Sequence, residues 1–169
     1  SMPGQMAEIN SELPPFSFTY GNRKSARLLP GWKSERSSKK LDADRTERTL
    51  TFTDPDTGLT VRCVSVEYHD FPSVEWTVYF KNTGDSDTPI LRDIRGLDMM
   101  MQRGPGSEFL LHHSYGGSCR ADDYRPLETK LTPEMKKTFA PVTGFSSDVD
   151  MPYFNVESGS GEGIIAAIG

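Results

Sequence analysis

The sequence predicts an all-β protein, an antiparallel β-sandwich (supersandwich-like) of roughly ten strands with little or no helix. Three observations point to this class. The stretch Val74-Glu75-Trp76-Thr77-Val78-Tyr79-Phe80-Lys81-Asn82-Thr83-Gly84 alternates strictly, with Val74, Trp76, Val78 and Phe80 on one face and Glu75, Thr77, Tyr79 and Lys81 on the other. Clusters of Gly, Pro, Asp and Ser punctuate the chain at short intervals, as turns between short strands do. No segment holds a convincing helical period.

Residues 1 to 14 are polar and run into Pro14-Pro15, which predicts a loosely attached arm before a sandwich domain spanning 15 to 169. Ser1-Met2 resembles an expression scar, so a native leader would lie outside this sequence. Phe16 to Tyr20 is a short strand with Phe16, Phe18 and Tyr20 on one face. Arg23 to Asp44 shows neither period and is expected to be a long connection, with a short strand at Ala26 to Leu29.

Thr49 to Thr53 is a strand that meets Asp54-Pro55-Asp56-Thr57-Gly58, where proline presets φ and glycine supplies a position with φ > 0. Leu59 to Tyr68 opposes Leu59, Val61, Cys63 and Ser65 to Thr60, Arg62, Val64 and Val66, and a short bend at His69 to Ser73 returns the chain into the Val74 strand. These strands form a meander. Ile90 to Met99 is read as a strand bulged at Gly96. Five more strands are expected at Glu108 to His113, Pro126 to Leu131, Lys136 to Ala140, Tyr153 to Glu157 and Gly163 to Ile168. The last is apolar without alternation, so it is expected to have both faces covered in a larger protein and to expose apolar surface or a free edge here.

Composition narrows the function classes. The chain has 169 residues, 19 Lys and Arg against 24 Asp and Glu, and a net charge of −5. Its one basic cluster, Arg36-Ser37-Ser38-Lys39-Lys40, is followed by Asp42 and Asp44, so no continuous phosphate-binding stripe forms, and neither nucleic acid nor an anionic membrane is an expected partner. No apolar run approaches the ~18 residues of a membrane span. Cys63 sits in a strand pattern and Cys119 in a Gly-rich loop; a disulfide between them and two free thiols are both open.

Taken together, Pro15-Phe16-Ser17-Phe18, Trp76 to Gly84, Leu110-Leu111-His112-His113, Gly144-Phe145-Ser146-Ser147 and Ile164 to Gly169 resemble, in this order, the N-terminal β-sandwich domain of glycoside hydrolase family 36, the α-galactosidase (melibiase) family. The resemblance implies a non-catalytic module packed before a (β/α)8 barrel that carries the two catalytic aspartates of a retaining enzyme. It implies that barrel as a partner and a galactoside as ligand; separately, a secreted or periplasmic location is favoured, with any signal peptide outside this sequence. A stand-alone carbohydrate-binding module and an assembly domain without sugar affinity are the alternatives, and a homo-oligomer formed through the barrel-facing surface is expected.

Site candidates are few. Residues 112 to 124 gather two histidines, a thiol, an arginine and two carboxylates, but His112 and His113 point to opposite faces of a strand and give no zinc pattern. No metal and no cofactor is expected. His113, Tyr115, Arg120, Asp122, Asp123 and Tyr124 supply the aromatic and bidentate polar groups of a sugar contact, set against a plain surface loop. Trp32 is a second candidate, because the resemblance implies a tryptophan reaching from this domain to the barrel's sugar subsite; anchoring in the core is the competing reading. Ser146 and Ser147 lack a base and orienting partner, so they are turn residues. The carboxylate pairs Asp54/Asp56, Asp85/Asp87 and Asp122/Asp123 all fall in turns, which leaves no catalytic residue to assign.

Overall fold

The computed structural model describes residues 14–102, 108–117, 119–159 and 161–169. The protein is all-β, with eleven strands in three antiparallel sheets among the described residues. Its contacts divide into two compact units, Ser1–Met100 and Met101–Gly169.

The first unit is a two-layer sandwich. Strands β1 (Ser17–Tyr20), β2 (Arg23–Lys24) and β7 (Leu91–Arg95) form a sheet of order β2-β1-β7. Strands β3 (Lys33–Lys40), β4 (Arg45–Thr53), β5 (Leu59–Tyr68) and β6 (Ser73–Asn82) form a second sheet in sequence order, a pure meander. Phe16, Phe18 and Tyr20 from one layer and Phe52, Leu59, Val61 and Cys63 from the other make the buried core. The β5 and β6 faces follow the alternation of the sequence, with Leu59, Val61, Cys63 and Ser65 buried and Val74, Trp76, Val78 and Phe80 half-buried.

The connection from Arg23 to Asp44 departs from expectation twice. Ala26 to Leu29 is not a strand: Ser25–Leu28 is one helical turn (α1), continued by a tighter turn at Leu29–Gly31. Leu28 and Leu29 are both buried, which a helical turn permits and a strand, pointing consecutive side chains to opposite faces, does not. The turn is tied to β1 by the Phe18 amide, which donates to the buried Ser25 hydroxyl at 3.1 Å. Lys33–Lys40 is a full strand although no alternation marks it. As an edge strand exposed on all eight residues it has no apolar face to advertise, and its charges discourage pairing with other chains.

The turn between β4 and β5 is built from side chains. The Asp54 carboxylate accepts from the Asp56 amide (3.2 Å) and the Thr57 hydroxyl (2.6 Å), and Gly58 takes φ +77°. The bulge expected at Gly96 lies earlier in β7. Four residues, Arg92 to Arg95, lie opposite the three from Ser17 to Thr19, and Asp93 adopts φ 51° to absorb the extra residue.

The second unit is one sheet of order β11-β10-β8-β9, from β8 (Phe109–Ser114), β9 (Pro126–Leu131), β10 (Tyr153–Glu157) and β11 (Gly163–Ala167). Lys136 to Ala140, expected as a strand, joins no ladder. Its Phe139 is held by rings instead, stacked on Phe154 at 5.4 Å and edge-on to His113 at 5.3 Å. At the sheet edge β11 has one face half-covered, through Ile164 and Ala166, while Ile165 is 78% exposed. The apolar exposure expected of this strand is therefore present.

Candidate functional site

The loop singled out in the sequence lies in the second unit and is organised by its own backbone. Gly116 and Gly117 donate to the carbonyls of Val149 (2.9 Å) and Ser147 (2.7 Å), and a Cβ on Gly116 would sit 1.9 Å from the Ser147 oxygen, so only glycine allows this crossing. Tyr115 bridges to Asp150, and the Arg125 guanidinium lies 5.0 Å from its ring centre. Arg120, Asp122 and Asp123 form one exposed turn: the Arg120 amide donates to the Asp123 carboxylate (3.0 Å), and the Arg125 amide donates to the Asp122 carbonyl (3.2 Å). Tyr124 is 64% exposed. These residues are adjacent in space, but as a turn held by its own hydrogen bonds.

His112 and His113 occupy opposite faces of β8. His113 is buried on the inner face, where its Nε2 meets the Thr129 hydroxyl at 3.0 Å and its Nδ1 has no hydrogen-bond partner in the structure. Burial, reinforced by Lys137 and opposed by Asp150, lowers its pKa and keeps the ring neutral. His112 is on the outer face between two carboxylates on flanking strands, Glu157 at 2.7 Å and Glu128 at 3.5 Å. The two carboxylates face different ring nitrogens, and among the described residues no group of three or more His, Cys, Asp or Glu is placed to hold a metal ion.

The segment Gly144 to Asp148 is a turn organised by an acid rather than by its serines. Buried Asp148 accepts from the amides of Val142 and Thr143, and its pKa is lowered first by the Thr143 side chain and then by these amides, against the opposing effect of burial. Trp32 is 9% exposed in the first unit, wedged between Phe18 (6.3 Å) and Tyr20 (5.9 Å), where it anchors the core.

A cleft of about 410 Å³ opens on the inner face of the β3-β4-β5-β6 sheet, and none of the sequence candidates lines it. The ladder register assembles it. One cross-strand row carries Arg36, Leu50 and Cys63, and the next carries Ser38, Arg48, Ser65 and Trp76. The β1 layer covers the rows towards Phe52 and Val61 and leaves these two partly open. Pro15 closes one rim. Leu50, Cys63 and Trp76 make an apolar floor, while Arg36, Ser38, Arg48, Ser65 and Glu67 supply polar groups around it. Its volume falls within the span of small-molecule sites, and it is open to solvent on one side.

Several of these groups are already fixed. The Trp76 indole N–H donates to the Gly96 carbonyl (2.7 Å), which orients its ring. Arg48 Nε donates to Glu67 at 2.7 Å, and the Ser65 hydroxyl donates to the Arg48 carbonyl at 3.3 Å. Arg36 has no carboxylate partner among the described residues. Burial pushes the Cys63 thiol up to about 11, so it is protonated at neutral pH and behaves as an apolar group rather than a nucleophile. Both cysteines are free thiols, Cys63 buried and Cys119 exposed.

Sequence reasoning assigned Trp76 to packing, and its alternation was the signal. What it missed was that β3 is a strand, and only that pairing brings Arg36 and Ser38 into the same rows as Trp76. The chain matches no protein-family model, no curated protein and no solved structure.

Proposed function

We propose that this chain is a non-catalytic β-sandwich module of a glycoside hydrolase of the α-galactosidase kind. The observation that carries the reading is the use of its paired carboxylates. The Asp54 carboxylate caps the β4–β5 turn, and in the turn before β9 the Asp123 carboxylate accepts from the Arg120 amide while Asp122 takes part through its backbone carbonyl. A retaining glycosidase needs two carboxyl groups facing each other about 5–5.5 Å apart across a substrate, and a pair with one carboxylate engaged in its own turn is poorly placed for that task. The two-layer first unit belongs to the all-β sandwich class that such a module requires.

The cleft beside Trp76 favours a second reading, a free carbohydrate-binding module. A chromogenic α-galactoside and a glycan array test both. The chain is expected to release no chromophore above a buffer blank. Turnover that survives repurification and is lost in D122A or D123A would overturn the non-catalytic assignment. Retention of glycans by the isolated chain selects the binding module; no retention selects a module that acts only through its parent enzyme.

A further inference from the structure

We propose that the cleft on the four-stranded sheet binds a pyranose bearing a carboxylate, a hexuronic acid in type, with Arg36 as the anion anchor and Trp76 as the stacking surface. The proposal gives a ligand class to the binding reading above and rests on it.

Charge carries the argument. The protein as a whole is acidic, with a net charge of −5, yet the cleft lining holds two arginines and one glutamate. Arg48 is compensated by Glu67 at 2.7 Å, whereas Arg36 has no carboxylate within ion-pair reach among the described residues. Among the described residues, one positive charge is thus left over. A single carboxylate matches that charge, and a guanidinium presents two parallel N–H groups to the two carboxylate oxygens.

The floor selects the rest of the ligand. A sugar ring has an apolar face formed by its C–H groups, and aromatic side chains provide a complementary surface. Trp76 is half-buried, and its ring is fixed by the bond from its N–H to the Gly96 carbonyl, so its position is set before any ligand arrives. The Ser38 and Ser65 hydroxyls lie in the same cross-strand row; Ser38 can donate and accept, while Ser65, whose proton goes to the Arg48 carbonyl, can accept from a ring hydroxyl. Arg36 occupies the neighbouring row on edge strand β3, so the anion would sit towards the open side of the cleft and the ring over its floor.

Galacturonate and galactose make the discriminating pair, because they differ only at C6, a carboxylate in one and a hydroxymethyl in the other. The chain contains two tryptophans, so a ¹⁵N spectrum carries two indole N–H resonances, which a W32F variant assigns. Titration with galacturonate is expected to shift the Trp76 resonance and leave that of Trp32 in place. Galactose should bind roughly ten-fold more weakly, the loss expected when a charge-assisted hydrogen bond is missing.

R36Q should bring galacturonate down to the level of galactose without altering the rest of the spectrum, since Arg36 is exposed. E67Q, which frees Arg48, should tighten galacturonate binding. Equal binding of the two sugars would overturn the carboxylate assignment and leave the neutral-sugar reading standing. No shift at Trp76 with either sugar would overturn the cleft as the site, a result independent of whether the chain hydrolyses a galactoside.

Discussion

Phe18 meets Phe80 edge-on, with ring centres 5.3 Å apart and planes at 87°, and this pair joins the two layers of the first unit. Phe18 lies in β1, between Phe16 and Tyr20, and is 2% exposed. Its ring also approaches Trp32 at 6.3 Å.

Truncating Phe18 to alanine is therefore expected to cost about 3–5 kcal/mol, the range for a large aromatic removed from a core. Urea unfolding followed by circular dichroism measures it. A loss below about 1 kcal/mol would mean that the β1 layer contributes little to the packing of the four-stranded sheet.

The two thiols should separate cleanly. Cys119 is exposed and should react with a disulfide reagent in the native protein, while Cys63 should react only on unfolding. C119S should then show no fast thiol. Because the Cys63 thiol is raised from an ordinary 9.0 to about 11, its contribution to stability is complete below pH 9.0 and is lost as pH rises through about 11. Stability measured across that alkaline window, with C63A as the reference, checks the sign.

His113 should act in the opposite pH range. Its folded-state pKa is lowered from 6.5, so the unfolded chain takes up the proton first as pH falls. Stability should be insensitive to this group above pH 6.5 and should decline below it, until the folded form is protonated as well. H113F should flatten that acid slope. His112 is common to both proteins, so the difference between their urea midpoints at each pH isolates His113.

Strand β11 predicts association. Ile165 is 78% exposed at the free edge of its sheet, and an apolar, unpaired strand edge recruits a partner. Sedimentation is expected to show concentration-dependent self-association that I165K abolishes. A monomer at every concentration tested would remove this edge as an interface.

The sequence disclosed most readily those elements whose two faces see different surroundings. β5 and β6 alternate because one side meets the β1 layer and the other meets water, so their faces could be assigned residue by residue. β3 was hidden because an edge strand exposed throughout has no such contrast. The helical turn at Ser25–Leu28 was hidden by its length, since four residues are too few to show a period. Phe139 misled for a different reason: an aromatic held by two other rings looks in sequence like a strand residue held by a ladder. The cleft was illegible because its rows are formed across four strands, and register is a tertiary property.

The two connections flanking β5 differ in what they would tolerate. The Asp54–Gly58 turn is pinned from three directions. Tyr20 Oη lies 2.7 Å from the Thr57 hydroxyl, Thr83 donates twice to the Gly58 carbonyl (3.0 and 2.7 Å), and a Cβ on Gly84 would fall 2.2 Å from the Thr57 oxygen. The bend at 69–72 has Phe71 67% exposed. An epitope tag, a fluorophore-bearing peptide or new termini made by circular permutation should be accepted at Asp70-Phe71 with the fold intact. The same graft at Asp56-Thr57 would pry apart the end of the sandwich, so the molecule offers engineers one usable handle on this hairpin and one position to leave alone.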